Sequence, residues 1–214
     1  RRVGVEVDFP KAQTCCGQPL FKSGFHRDVR EVARHTVDAF KADQPVVVPS
    51  GSCAAMVRVG YPELFHDDAE MRSRAEALAA RTYELSEFLV KVLRVEDVGA
   101  RFEGRVTYHY ACHLRWLDLT DEAVRLIRRV KGADYVPLER WDQCCGFGGS
   151  FSVRYPEVSG AIVGDKVDCI ARTGADVVVA TDAGCLMNIA GAMRRRGVKA
   201  RAMHLAELLE SKKT

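Results

Sequence analysis

The stretch Trp141–Ser152, WDQCCGFGGSFS, sets two adjacent cysteines against three glycines in four residues, and TCCGQPLF at Thr14–Phe21 echoes it. Worked outward from these pairs, the chain repeats itself. GVEVDFPKAQTCCGQP (Gly4–Pro19) lines up with GADYVPLERWDQCCGFGG (Gly132–Gly149). Each pair is followed downstream by an apolar strand that ends on a single cysteine in a small-residue turn. These are PVVVPSGSCAAM at Pro45–Met56 and DVVVATDAGCLMN at Asp176–Asn188. Thirty-six residues lie between Cys16 and Cys53, and thirty-nine between Cys145 and Cys185. The same order at nearly the same spacing reads as an internal duplication.

The segments between the pairs alternate strand and helix patterns, the signature of an α/β fold. Val29, Val32, Ala33, Val37 and Phe40 make one apolar stripe at helical spacing. Val158, Ile162, Val163, Val167 and Ile170 make its counterpart within Pro156–Arg172, with Gly174 at the stop. A third helix is expected to be capped by Thr120, to bury Ala123, Leu126, Ile127 and Val130, and to end at Gly132. Arg105–Cys112, Asp176–Thr181 and Lys199–Met203 read as buried strands, and Leu205, Leu208 and Leu209 as a last helix. Ala69–Val95 reads as helical throughout, bridging the repeats. The expected architecture is two pseudo-symmetric cysteine-rich lobes with mainly parallel sheets flanked by helices. Their bounds are residues 1–95, with the bridging helices, and 105–214, joined near residues 95–104. Ligands in such sheets gather at the carboxyl ends of strands, and Cys53, Cys112 and Cys185 each follow directly on an expected strand.

Eight cysteines in 214 residues are many for a cytosolic enzyme and far below the density of a small disulfide scaffold. A chain this apolar needs no staples, so metal or redox chemistry leads. Cys112, Cys144, Cys145 and Cys185 match the four-thiolate count of an iron–sulfur cluster or a closed zinc site. Neighbouring side chains diverge, so a vicinal pair reaches two metals of a cluster more easily than it chelates one ion. The glycine that follows lets backbone approach without a Cβ clash. That argument favours a multinuclear centre; a vicinal disulfide would leave Cys112 and Cys185 unexplained. Cys169 falls mid-helix and reads as core. His109 and His113 flank Cys112 in YHYACHLR, as metal-supporting donors or as structural filler. His204 stands at a helix start.

The remaining composition narrows the classes. A formal charge of +3 is too small for a nucleic-acid or anionic-membrane protein. The clusters Arg125, Arg128, Arg129 and Arg194, Arg195, Arg196 fall at helix ends, where cations complement the dipole. No apolar window is long enough for a transmembrane span. GFGG lacks the spacing of a dinucleotide loop. The opening RRVGVEVDFP starts without Met inside an apolar strand pattern, so the numbered chain is expected to begin partway through a longer protein.

The order CCG, SGSC, YHYACHLR, CCGFGGSFS, TDAGCLMNI, MHLAELL resembles the cysteine-rich CCG-domain family over essentially the whole chain. That family includes the cysteine-rich subunit of heterodisulfide reductase and the C-terminal part of the glycolate oxidase iron–sulfur subunit. The nearest resemblance is to its compact branch without ferredoxin motifs, the lactate-utilisation protein A type. The resemblance implies a cytoplasmic iron–sulfur subunit in the oxidation of L-lactate to pyruvate, or of a related 2-hydroxy acid such as glycolate. A ferredoxin-like iron–sulfur subunit and a third lactate-utilisation subunit are its implied partners. Its implied ligands are Cys112, Cys144, Cys145 and Cys185 in the second motif and Cys15, Cys16 and Cys53 in the first. His109, His113 and Gly146 stand behind them. The first motif's opening cysteine would lie upstream of Arg1. The reductase branch closes its motif with CxxC, whereas Met56 and Asn188 stand at those places here. This counts against the noncubane cluster of that branch and leaves a four-iron cluster or zinc. The alternative function is a non-redox scaffold with structural zinc, and a weaker one is thiol–disulfide chemistry at the vicinal pairs.

Overall fold

The computed structural model describes residues 3–212. In chain order, α1 (Gln18–Lys22) and α2 (His26–Ala39) lead into strand β1 (Val46–Val48). Next, α3 (Gly51–Ala55), a π-helical turn (Met56–Gly60) and α4 (Tyr61–Leu64) run on without a break. After α5 (Ala69–Ala80) comes β2 (Thr82–Glu84), then α6 (Leu85–Glu87) and a second π turn (Phe88–Val92). The second half contains β3 (Arg101–Tyr108), a 3₁₀ segment (Cys112–Leu117), α7 (Glu122–Arg128) and β4 (Lys131–Tyr135). It ends with α8 (Phe151–Arg154), α9 (Pro156–Thr173), β5 (Val177–Ala180), α10 (Ala183–Arg195), β6 (Arg201–His204) and α11 (Leu205–Glu210).

The fold is α/β, with two parallel sheets flanked by helices. In the first, β1 pairs β2 with Val46 opposite Thr82 and Val48 opposite Glu84. The second has the order β4-β3-β5-β6, every pair parallel. Val177, Val178, Val179 and Ala180 of β5 are fully buried, because helices cover both faces of an inner parallel strand. Parallel pairing puts the carboxyl ends of the strands on one edge, and the cysteine-bearing turns leave from there.

Three apolar clusters hold the elements. Val29, Ala33 and Val37 of α2 pack with Met56, Tyr61, Phe65 and Leu78 in the first lobe. Val163, Val167 and Ile170 of α9 pack with Ile189 and Met193 of α10 in the second. The third cluster crosses between lobes: Ala54 and Ala55 of α3 join Leu89, Val90, Val106, Leu114, Leu126 and Leu208. The helix leaving the first cysteine turn is therefore embedded in the core beside β3.

Several expectations change. Ala69–Val95 is not helical throughout. Helix α5 stops at Ala80, and the β-branched and aromatic residues Thr82 and Tyr83 form β2 against β1. Thr120 does not cap α7; its N–H donates to Glu122 Oε2 at 2.8 Å, and Asp121 occupies the cap position. Gly132 lies inside edge strand β4 at φ 85°, not at a helix stop. Gly174 does end α9, in the left-handed conformation at φ 60°. The strand expected at 105–112 runs instead over Arg101–Tyr108, so Cys112 sits four residues past its end, on the 3₁₀ segment.

Candidate metal centre

Both CCG turns have the same local design. Gly17 and Gly146 each adopt φ 79°, the left-handed region that glycine enters without cost. In that conformation the glycine N–H points back at the first cysteine of its pair. Gly17 N lies 3.5 Å from Cys15 Sγ, and Gly146 N lies 3.3 Å from Cys144 Sγ. A Cβ on Gly17 would stand 2.5 Å from Val29 Cγ2, and one on Gly146 would stand 2.7 Å from the Ser159 carbonyl. Each turn thus needs glycine for its torsion and for its space.

The second cysteine of each pair turns inward, and its carbonyl is tied down. Tyr61 Oη donates to the Cys16 carbonyl at 2.9 Å, and Asn188 Nδ2 donates to the Cys145 carbonyl at 2.9 Å. Ser159 Oγ adds a bond to the Gly146 carbonyl at 2.8 Å. Neither Tyr61 nor Asn188 was expected to matter. Asn188 lies one helical turn beyond Cys185 on α10, a spacing that offered a signal.

At the first corner, Cys16 and Cys53 bring their sulfurs to 3.2 Å, with Cys15 alongside and more exposed. Cys53 lies on α3, whose N-cap Ser50 accepts from the Cys53 N–H. The hydrogen bond from Cys16 lowers the Cys53 thiol to about 7, while that same bond, with burial, pushes Cys16 up.

At the second corner the sulfurs form a chain of neighbours. Cys112 acts electrostatically on Cys144, Cys144 on Cys145, and Cys145 on Cys185, as near neighbours in that order. The neighbouring Cys112 and Cys145 thiols and the Gly146 N–H hold the Cys144 thiol far below the usual range. Their cysteine neighbours, and then burial, push Cys112 and Cys145 up. His109 brings a ring nitrogen into a group with the Cys145 and Cys185 sulfurs, all three atoms within 4.8 Å of one another. Burial, chiefly, lowers the His109 imidazole to about 3, so it is neutral at physiological pH. All four cysteines named from the second motif therefore meet, and the three from the first motif meet separately. His113 lies between the corners. Its Nδ1 is 3.7 Å from Cys112 Sγ, and its Nε2 is 3.2 Å from Gln18 Nε2 beside the first turn.

One carboxylate joins the two corners, and sequence reading missed it. Asp182 occupies the N-cap position of α10, but its side chain makes no cap bond to that helix. It reaches across to the corresponding turn of the other lobe. Asp182 accepts from Ser50 Oγ at 2.6 Å, Ser52 Oγ at 2.5 Å and Ser52 N at 3.2 Å. Asp182 in TDAGC aligns with Ser50 in PSGSC, so the two cap residues meet where the repeats face each other. His204 is structural as expected. Its Nδ1 accepts from Ala206 N, its Nε2 lies 3.0 Å from the Thr181 carbonyl, and with Glu207 it forms a capping box for α11. Cys169 is buried in the core of α9.

The donor chemistry suits a thiolate-bound metal. Four soft sulfur donors come from the 3₁₀ segment after β3, the CCG turn and the start of α10, beside a loop whose glycines hold positive φ. A model of the cysteine-rich domain called CCG matches residues 1–58 and 106–190. The chain is 49% identical over 212 residues to Lactate utilization protein A of Shouchella clausii, covering 99% of this chain and 88% of that one. It is 47% identical over 212 residues to the protein of that name from Bacillus licheniformis, with 99% and 89% covered. Against that of Geobacillus thermodenitrificans it is 50% identical over 209 residues, with 97% and 87% covered. With its two glycine-locked cysteine turns and its match to that model, the chain belongs to the CCG cysteine-rich domain family.

Proposed function

We propose that this chain is an iron–sulfur electron-transfer subunit of a system that oxidises L-lactate to pyruvate. The observation that carries the reading is the meeting of Cys112, Cys144, Cys145 and Cys185 at one corner, from three separate elements. Four thiols match the outer ligands of a four-iron cluster, which when bound would supply one-electron oxidation and reduction. In this reading Cys112, Cys144, Cys145 and Cys185 hold the group. Gly146, Gly148 and Gly149, all at positive φ, keep the loop close without side chains in the way. Asp182 fixes the corner against the other lobe. Cys15, Cys16 and Cys53 offer three further thiols and need one more donor to complete an equivalent set. We read the chain as two CCG repeats, 1–95 and 105–214.

The substrate rests on the relatives named Lactate utilization protein A, and glycolate is the nearest alternative acid. The expected partners are a ferredoxin-like iron–sulfur subunit and a third lactate-utilisation subunit, in the cytoplasm. Among the described residues no helix is long and apolar enough to cross a membrane. The test is anaerobic: the chain, co-purified with those subunits, is mixed with L-lactate and its visible absorbance followed. Bleaching by L-lactate and not by glycolate supports the assignment; no bleaching by either defeats it.

A second reading is favoured by one observation, the set His109, Cys145 and Cys185 within 4.8 Å, which suits a single zinc. That protein would be colourless and hold zinc without sulfide.

A further inference from the structure

His109 has no assigned work in the electron-transfer reading, yet its surroundings are unusual. It follows β3 directly, and its backbone N–H donates to the Val179 carbonyl of β5 at 2.8 Å, so the sheet sets where its side chain points. The residue is 0% exposed, and neither ring nitrogen has a hydrogen-bond partner. A neutral imidazole always carries one N–H, and leaving such a donor buried and unsatisfied is costly. The charged groups that face it are Lys166 and Cys144. Lys166 takes no bond from it, because its ammonium is a donor and is spent on the Arg140 carbonyl at 2.5 Å. The Cys145 and Cys185 sulfurs lie with one ring nitrogen of His109 in a group no more than 4.8 Å across.

Two roles fit a ring nitrogen beside two cysteine sulfurs: a metal ligand through its lone pair, or a hydrogen-bond donor through its N–H. The donor count decides. Each iron of a four-iron cluster takes one outer ligand, and four cysteines already stand at this corner, so a fifth ligand is surplus. Sulfur carrying negative charge attracts an N–H and repels a lone pair. We infer that His109 donates a ring N–H···S hydrogen bond to the Cys145–Cys185 side of the second corner and so raises the reduction potential of the group held there. The inference deepens the electron-transfer reading and rests on it. Hydrogen bonds to the sulfurs are among the determinants of cluster potential, because they favour the more negative, reduced state.

The test compares His109→Phe, which fills the space without a donor, with His109→Gln, which restores an N–H. Iron, zinc and sulfide are counted first in the anaerobic full-length proteins, and the midpoint potential is then measured by reductive titration followed by electron spin resonance. The expected result is parent-level iron and sulfide in both variants, a more negative potential in His109→Phe, and a return towards the parent value in His109→Gln. An unshifted potential in His109→Phe with iron and sulfide intact overturns the inference alone. So does selective loss of iron, which would make His109 a ligand. Zinc without sulfide in the parent overturns the electron-transfer reading and this inference with it. Should His109→Phe not fold, the reduced parent labelled with ¹⁵N-histidine decides by pulsed electron spin resonance. A weak nitrogen coupling supports the hydrogen bond, whereas a strong coupling or none overturns it.

Discussion

At the first corner Cys15, Cys16 and Cys53 gather around a glycine turn; at the second, Cys144, Cys145 and Cys185 do the same, and Cys112 and His109 come in from behind. The turns match in detail: φ 79° at each glycine, a backbone N–H on each leading sulfur, a side-chain donor on each inner carbonyl. What differs is the sheet. By alignment β1 corresponds to β5, and among the described residues nothing in the first lobe corresponds to β3, which delivers Cys112 and His109. The comparison separates two causes. Local glycine geometry makes a CCG turn wherever the motif occurs, whereas the number of donors depends on which strands end beside it.

The largest expected effect breaks the likeness of the two turns. Gly146→Ala combines a left-handed torsion with a Cβ driven against the Ser159 carbonyl, and should cost about 4 kcal/mol in denaturant unfolding. Gly17→Ala meets the Val29 side chain instead, so Val29→Ala should restore part of the loss at the first corner. No side-chain truncation can move the backbone obstacle at the second. Recovery of Gly146→Ala by Ile162→Ala would show the two turns to be alike in this respect too.

The link between the corners comes next. Asp182→Ala removes the acceptor for Ser50, Ser52 and the Ser52 N–H and should cost about 3 kcal/mol, read as a lowered melting temperature. A double-mutant cycle with Ser50→Ala should show strong coupling between positions on opposite lobes. Additive effects would mean that the Asp182–Ser50 bond does not hold the corners together.

A pH effect arises at the end of β2. Glu84 is buried, its Oε1 has no partner, and burial raises its carboxyl to about 7 from the ordinary 4.5. Because the folded value lies above the unfolded one, the stability that protonated Glu84 contributes is full below about pH 4.5. It is lost as pH rises through about 7. Between those limits the parent should lose on the order of 3 kcal/mol that Glu84→Gln keeps, so the two unfolding curves should diverge with rising pH. Parallel curves would refute the assignment. The smallest effect sharpens the comparison at one bond. Tyr61→Phe orphans the Cys16 carbonyl, should cost about 1 kcal/mol, and should leave the metal content of the second corner unchanged.

The duplication was legible because its parts resist substitution: only glycine accepts the torsion and the space at Gly17 and Gly146, and only cysteine supplies the thiols. Helices α2 and α9 were legible from their apolar spacing. Strand β2 was not, since three residues between helical stretches carry too little pattern, and Thr82–Glu84 takes its form from pairing with β1. Thr120 and Gly132 misled because cap and stop residues also serve bends and edge strands. Asp182 escaped notice because its partners lie 130 and 132 residues away, on the other repeat. The isolation of His109 inside the protein is likewise set by packing and not by any local motif.

The central claim is that the second corner holds an iron–sulfur group through four cysteines. Its most direct test is iron, zinc and acid-labile sulfide per chain in the anaerobically isolated parent and in Cys185→Ser. Cys185→Ser should lose about four iron and about four sulfide relative to the parent. Equal iron and sulfide in the two proteins, or a parent with about one zinc and no sulfide, would contradict it.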